Sequence, residues 1–155
     1  MELLEVKTEI LAPAFALLPD KMNSRPATIM LLAIGLQESQ FLHRRQIGGG
    51  PARGLWQFER GGGVHGVLRH QASAKLAAQV CANRGVEPTD QAVWEALEQD
   101  DVLAAAMARL LLWTDPKPLP TYEAGGWDLY ERVWRPGQPR PEKWSRNYEA
   151  ARQAA

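Results

Sequence analysis

Apolar residues recur at helical spacing along most of this chain. Residues 2–18 carry them three and four apart, with Pro13 breaking or kinking the run. Ser24 is a good N-cap and Pro26 falls in a tolerated first turn, which predicts a helix from there to about Gln40. Residues 44–66 change character. Gly48-Gly49-Gly50-Pro51 and Gly61-Gly62-Gly63 do not suit a helix. Between them Leu55-Trp56-Gln57-Phe58-Glu59 alternates like a short strand, with Trp56 and Phe58 on one side and Gln57 and Glu59 on the other. Helical pattern resumes from about Val64 to Arg84, where Gly85 fits the position just past a helix end. Thr89-Asp90 caps a helix through Leu97, and Asp100-Asp101 opens another with a stripe of Leu103, Met107, Leu110 and Leu111. Asp115-Pro116 stops it. A Pro-rich loop over 115–120, a short helix from Trp127 to Trp134 and an irregular connection from Pro136 to Pro141 complete the pattern. The expectation is a mainly α chain with a small strand-and-loop region inserted between helices. No repeat, heptad or linker divides residues 1–155, so a single domain is expected.

Composition narrows the class. With 155 residues the chain can bury a core without metal or disulfide staples, and its one cysteine cannot form an internal disulfide. Eighteen Lys and Arg balance eighteen Asp and Glu, which removes the electrostatic signature of a non-specific nucleic-acid binder. The acidic start Met1-Glu2-Leu3-Leu4-Glu5 is unlike a signal peptide, and no apolar window approaches the ~20 residues that span a bilayer. Synthesis in the cytoplasm, no stable membrane insertion and a monomer are therefore expected. Locally the charge is uneven. Residues 84–101 are acidic, whereas 40–70 and 132–146 are basic, which suits either an anionic partner or solvated faces.

Glu38 is the first candidate for chemistry. It ends the helix that begins near Arg25, one turn above Ile34 and two above Leu31, at the edge of the apolar stripe. Desolvation there favours the protonated carboxyl, which is what a glycosidase general acid needs near neutral pH. A surface glutamate at a helix end is the plainer alternative.

Glu38-Ser39, a basic Gly-rich stretch, and then Gly54-Leu55-Trp56-Gln57-Phe58-Glu59 together resemble the soluble lytic transglycosylase and goose-type lysozyme group of the lysozyme-like superfamily. In that group a catalytic glutamate precedes a serine at a helix end, and a Gly-Leu-Met-Gln segment follows downstream; here Trp56 replaces the methionine. The resemblance covers about residues 24–60. The Trp134-Arg135-Pro136-Gly137 segment adds a likeness to small phage-encoded proteins of this group. The resemblance implies a lysozyme-like α+β fold with a small strand/loop flap, and cleavage of the β-1,4 bond between N-acetylmuramic acid and N-acetylglucosamine in peptidoglycan. Glu38 would be the general acid, Ser39 the helix-end residue beside it and Gln57 a cleft-wall amide. The group's Tyr-Asn-Ala-Gly segment, whose tyrosine hydrogen-bonds the catalytic carboxyl, is matched by Tyr122-Glu123-Ala124-Gly125, with Glu123 in place of asparagine.

Glu59 or Glu123 could serve as a base about 6.5–9.5 Å from the acid in an inverting hydrolase. Without one, the transglycosylase resemblance implies attack by the substrate's own 6-hydroxyl. Glu59 could equally pair with Arg53 or Arg60. The glycine runs could hinge the Trp56–Phe58 segment as a flap, or be surface turns. Trp56 has the best claim of the six tryptophans to line a cleft, with core packing the alternative, while Trp94 and Trp113 are expected in the core and Trp127, Tyr130 and Trp134 to pack a C-terminal helix. His43, His65, His70 and Cys81 lack metal-ligand spacing, so neither metal nor cofactor is expected. The expected partner is the glycan strand of peptidoglycan and the place of action the bacterial cell wall. The alternative is a catalytically inactive lysozyme-like structural or glycan-binding component of a phage particle. A helical regulator docking a protein partner is a third class, for which helicity alone speaks.

Overall fold

Pro13 shapes the first helix. In the computed structural model, which describes residues 1–155, residues 3–16 form one helix, α1, whose segment Val6–Leu11 is wound as a π-helix. A proline lacks the N–H and its ring crowds the carbonyl four residues back. The wider winding answers this: the Ala12 N–H donates to Lys7 O, five residues back, directly before the proline.

Helix α2, Arg25–Glu38, opens as the sequence predicts, with Ser24 Oγ accepting the Ala27 N–H at 3.2 Å. Every residue from Ala27 to Gly35 is buried, so α2 runs through the centre of the molecule. It ends at Glu38, earlier than the predicted Gln40, because Gln40 and Phe41 both turn left-handed at φ 55°. The Phe41 ring thereby folds back onto Gly35, where any Cβ would overlap it.

The predicted strand over 55–59 does not form. Two isolated bridges, Arg45 with Arg53 and Arg53 with Phe58, are all the β pairing present, and residues 54–57 make a turn. The cause is a close approach. Gly54, at φ 80°, lies where a Cβ would come within 3.0 Å of Leu97 O, so the chain must reverse there. Leu55, Trp56 and Phe58 are all buried in the core. The segment is thus a wedge driven into the body, and the expectation of a flap lying over a cleft is corrected.

Helix α3, residues 60–69, starts in a wide turn, Arg60–Val64, that includes the glycine run read as a loop. Gly63 sits on the Phe58 ring, where a Cβ would be 3.2 Å away. The single helix predicted over 64–84 is two, because Ser73 Oγ bonds Val67 O at 2.7 Å and His70 is extended. Helix α4 is Ala74–Arg84, α5 is Asp90–Leu97 capped by Thr89, and α6 is Asp101–Trp113 capped by Asp100. Helix α7, Glu123–Trp134, begins four residues before the predicted start. The last helix, α8, Pro141–Ala154, was not expected, since it buries just Trp144, Asn147, Tyr148 and Ala151 along one narrow stripe. It makes the most extensive helix–helix contact of the molecule, along α2. The fold is mainly helical around one core of 40 buried residues, and no helix is long and apolar enough to cross a membrane.

Part of the uneven charge resolves internally. Arg44 forms a bidentate pair with Asp101 at 2.8 and 2.6 Å, Arg45 and Arg53 share Glu98, and Arg84 pairs Asp100. The basic loop over 44–53 is therefore held against the acidic α5–α6 region, and much of its charge is already matched.

Candidate functional site: a half-buried glutamate beside an aromatic cluster

Glu38 closes α2 beside Tyr130 of α7 and near the start of α8. Tyr130 of α7 stacks on Trp144 of α8, ring centroids 5.4 Å apart and ring planes nearly parallel, with Trp127 edge-on to Trp144 at 5.8 Å. That packing sets Tyr130 beside Glu38, close enough for each side chain to act on the other's titration. Burial is the larger influence and pushes the Glu38 pKa up to about 7, against which the tyrosine contact works in the other direction. The charged carboxylate in turn raises the already buried Tyr130, so the phenol stays protonated. The result is a carboxyl that exchanges its proton near neutral pH beside a protonated phenol.

Ser39 does not face a cleft. It is buried, and its Oγ donates to Leu55 O at 2.7 Å and accepts the Phe41 N–H at 3.1 Å. It thus ties the end of α2 to the 54–57 turn, joining the two halves of the motif and positioning Glu38 through the backbone. Trp56 makes a second tie, its Nε1 donating to Leu31 O at 2.9 Å, with the ring edge-on to Phe41. At 1% exposure Trp56 presents no face to a ligand, which corrects its proposed place in a cleft wall.

A groove of about 730 Å³ lies between the start of α3 and the end of α7, lined among others by Gln57, Glu59, His65, Arg132 and Trp134. Gln57, at φ 53°, spends its amide N–H on Gly54 O at 2.9 Å, and nothing in the protein bonds its Oε1. Glu59 is exposed and forms no ion pair with Arg53 or Arg60, which turn to Glu98 and Gln91. The aromatic wall of the groove is Trp134, one helical turn beyond Tyr130, edge-on to Phe58 at 5.8 Å and bonded through Nε1 to Trp56 O at 3.0 Å. Glu38 does not line this groove; Tyr130 and Trp134 stand between them along α7.

The structure therefore links Glu38, Ser39 and Trp56 through packing, and places Gln57 and Glu59 together on the groove. Tyr122 belongs to neither group. It is 63% exposed at the start of α7 and lies over Gly125, so the tyrosine beside Glu38 is Tyr130 and the expectation for Tyr122 is corrected. Glu123 is likewise exposed, its Oε1 accepting from Ser145 Oγ at 3.0 Å. Tyr130 recurs with Trp127 and Trp134 at helical spacing, which marks packing, and nothing local marks which packed tyrosine meets a carboxyl. No three His, Cys, Asp or Glu side chains gather where a metal could bind. Comparisons with family models, with curated proteins and with solved structures give no match to this chain.

Proposed function

We propose that this protein is a lysozyme-like muramidase or lytic transglycosylase that cleaves the MurNAc-β-1,4-GlcNAc bond of peptidoglycan with Glu38 as the general acid. One observation carries the reading: a glutamate at the end of a buried helix, held at a pKa of about 7 by burial and faced by a tyrosine hydroxyl. Such a carboxyl is protonated over much of the neutral range and can give its proton to the leaving glycosidic oxygen as the C1–O bond breaks. Two routes then complete the reaction. Water attacks C1 and leaves a reducing end, or the substrate's 6-hydroxyl attacks, returns its proton to Glu38 and leaves a 1,6-anhydro end. In support of the second route, Glu38 does the proton work alone, since Glu59 is exposed on a groove that Glu38 does not line and the exposed Glu123 carboxylate is engaged by Ser145 Oγ. Gln57, Glu59 and Trp134 would contact the glycan along the groove. The place of action on this reading is the bacterial cell wall, reached as a phage-borne or released protein.

A catalytically inactive glycan-binding component of a phage particle is the second reading. It is favoured by the separation of Glu38 from the groove that a polymer would occupy. Purified cell walls distinguish the two. The parent protein should release muropeptides, with activity falling as pH rises through about 7 and Glu38 loses its proton, whereas Glu38→Gln, folded by circular dichroism, should release none. Mass spectrometry then separates anhydro products from those heavier by one water. Absence of release by the parent anywhere between about pH 4 and 8 rejects the enzymatic reading.

A further inference from the structure

At the opposite end of α2 from Glu38, roughly 20 Å away by the rise of a 14-residue helix, lies a second cavity of about 620 Å³. Arg109 of α6 lines it and is 97% buried, being 3% exposed. Its Nε donates to Met22 O at 2.9 Å, but its Nη1 is buried with no hydrogen-bond partner. No carboxylate pairs with this guanidinium. Burial draws the Arg109 pKa down to about 10, so the group is still cationic at neutral pH.

The surroundings add charge of the same sign. Lys21 and Lys117 line the same cavity and are exposed, and neither forms an ion pair. The Lys21 ammonium lies 5.2 Å from the Trp113 ring centroid and the Arg109 guanidinium 5.6 Å from it, so one indole carries two cations. Asp115 is the acid within the lining, and both its oxygens are taken by Arg132 at 2.9 and 3.1 Å. Pro116 and Pro118 flank Lys117 and restrict the backbone that carries it. A buried guanidinium without a counter-charge is unfavourable unless something satisfies it, and a hydrophobic side chain would fill the site at lower cost.

We propose that this cavity is an oxyanion site that binds a phosphate group, with Arg109 at its floor and Lys21 and Lys117 at its rim. Three cations outside any ion pair, with the Arg132-bound Asp115 the acid nearest Lys117, match a dianionic phosphate better than a single carboxylate, and the guanidinium supplies a directed N–H while the lysines supply mobile charge. The phosphate is either free or carried as an ester on a larger molecule. Binding here is independent of the reading of Glu38, because the site shares no residue with it.

The test is titration of the full ¹⁵N-labelled chain with inorganic phosphate and, separately, with glycerol 3-phosphate, at ionic strength held constant with sodium chloride. Saturable shifts of the Arg109 Nε–H and of the Trp113 and Lys117 amides are expected for at least one of them. Tighter saturation by glycerol 3-phosphate assigns an ester-bound phosphate, and tighter saturation by inorganic phosphate assigns the free ion. The double variant Lys21→Gln, Lys117→Gln, altered at exposed positions that cannot unfold the core, should weaken binding about tenfold or more. Arg109→Gln, where folded, should abolish it. Shifts that rise without saturation into tens of millimolar, or saturation unchanged in the double lysine variant, overturn the proposal.

Discussion

A carboxyl held near neutral pKa leaves a mark on stability as well as on activity, and at Glu38 the two can be read separately. Folding raises this pKa from 4.5 to about 7, so the folded state binds the proton more tightly than the unfolded one. Stability from this group is full below about pH 4.5, falls as pH rises, and has lost its share above about 7. The loss is at most about 3 kcal/mol. Glu38→Gln removes the titration, so its melting temperature should match the parent at pH 4 and exceed it by about 5 °C or more at pH 8.5. Equal melting curves at both pH values would mean the carboxyl is not desolvated. Sequence reading reached Glu38 and its raised pKa because both follow from its place on the apolar edge of a helix. It missed Tyr130 as the partner, because that contact joins residues 92 positions apart on different helices. Trp56 failed for a related reason: an alternating pattern says that one side of a segment is apolar, and does not say whether core or cleft meets it.

Among the elements, α2 and its ending decide how Glu38 is presented. The turn out of α2 needs Gly35, on which the Phe41 ring rests, and Ser39, which bonds Leu55 O. Gly35→Ala puts a methyl group into that ring. It should destabilise the fold by about 2 kcal/mol or more, read by urea denaturation, even though alanine is the better helix former. The capped helices α5 and α6 were legible to the residue, because Thr89 and Asp100 act within their own first turns. The 60–69 helix was not, since three glycines disfavour helix locally and just the packing of Gly63 against Phe58 makes them useful. The strand over 55–59 failed because Gly54 must meet Leu97 O, a contact 43 residues away in sequence.

The whole molecule is closed by α8, which lies along α2 and supplies Trp144 to the stack that holds Tyr130. Removing residues 136–155 should therefore do more than shorten the chain. It uncovers α2 and the aromatic cluster, and cooperative unfolding by circular dichroism should be lost. A truncated chain that still melts cooperatively near the parent temperature would show that α8 is dispensable. Charge is settled at this scale too, because the acidic α5–α6 region and the basic loop over 44–53 pair with each other. The zero net charge is a property of contacts as much as of composition.

By itself the sequence determined the helical class, most helix starts, the core face of α2 and the position of a protonatable glutamate at its end. Each of these rests on spacing and capping within a few residues, where backbone geometry acts directly. Tertiary structure alone decided that Tyr130 meets Glu38, that Trp56 is core and Trp134 lines the groove, and that Arg109 is left without a counter-charge. Those outcomes depend on which distant surfaces pack together, and no local pattern encodes the partner on the far side of a contact.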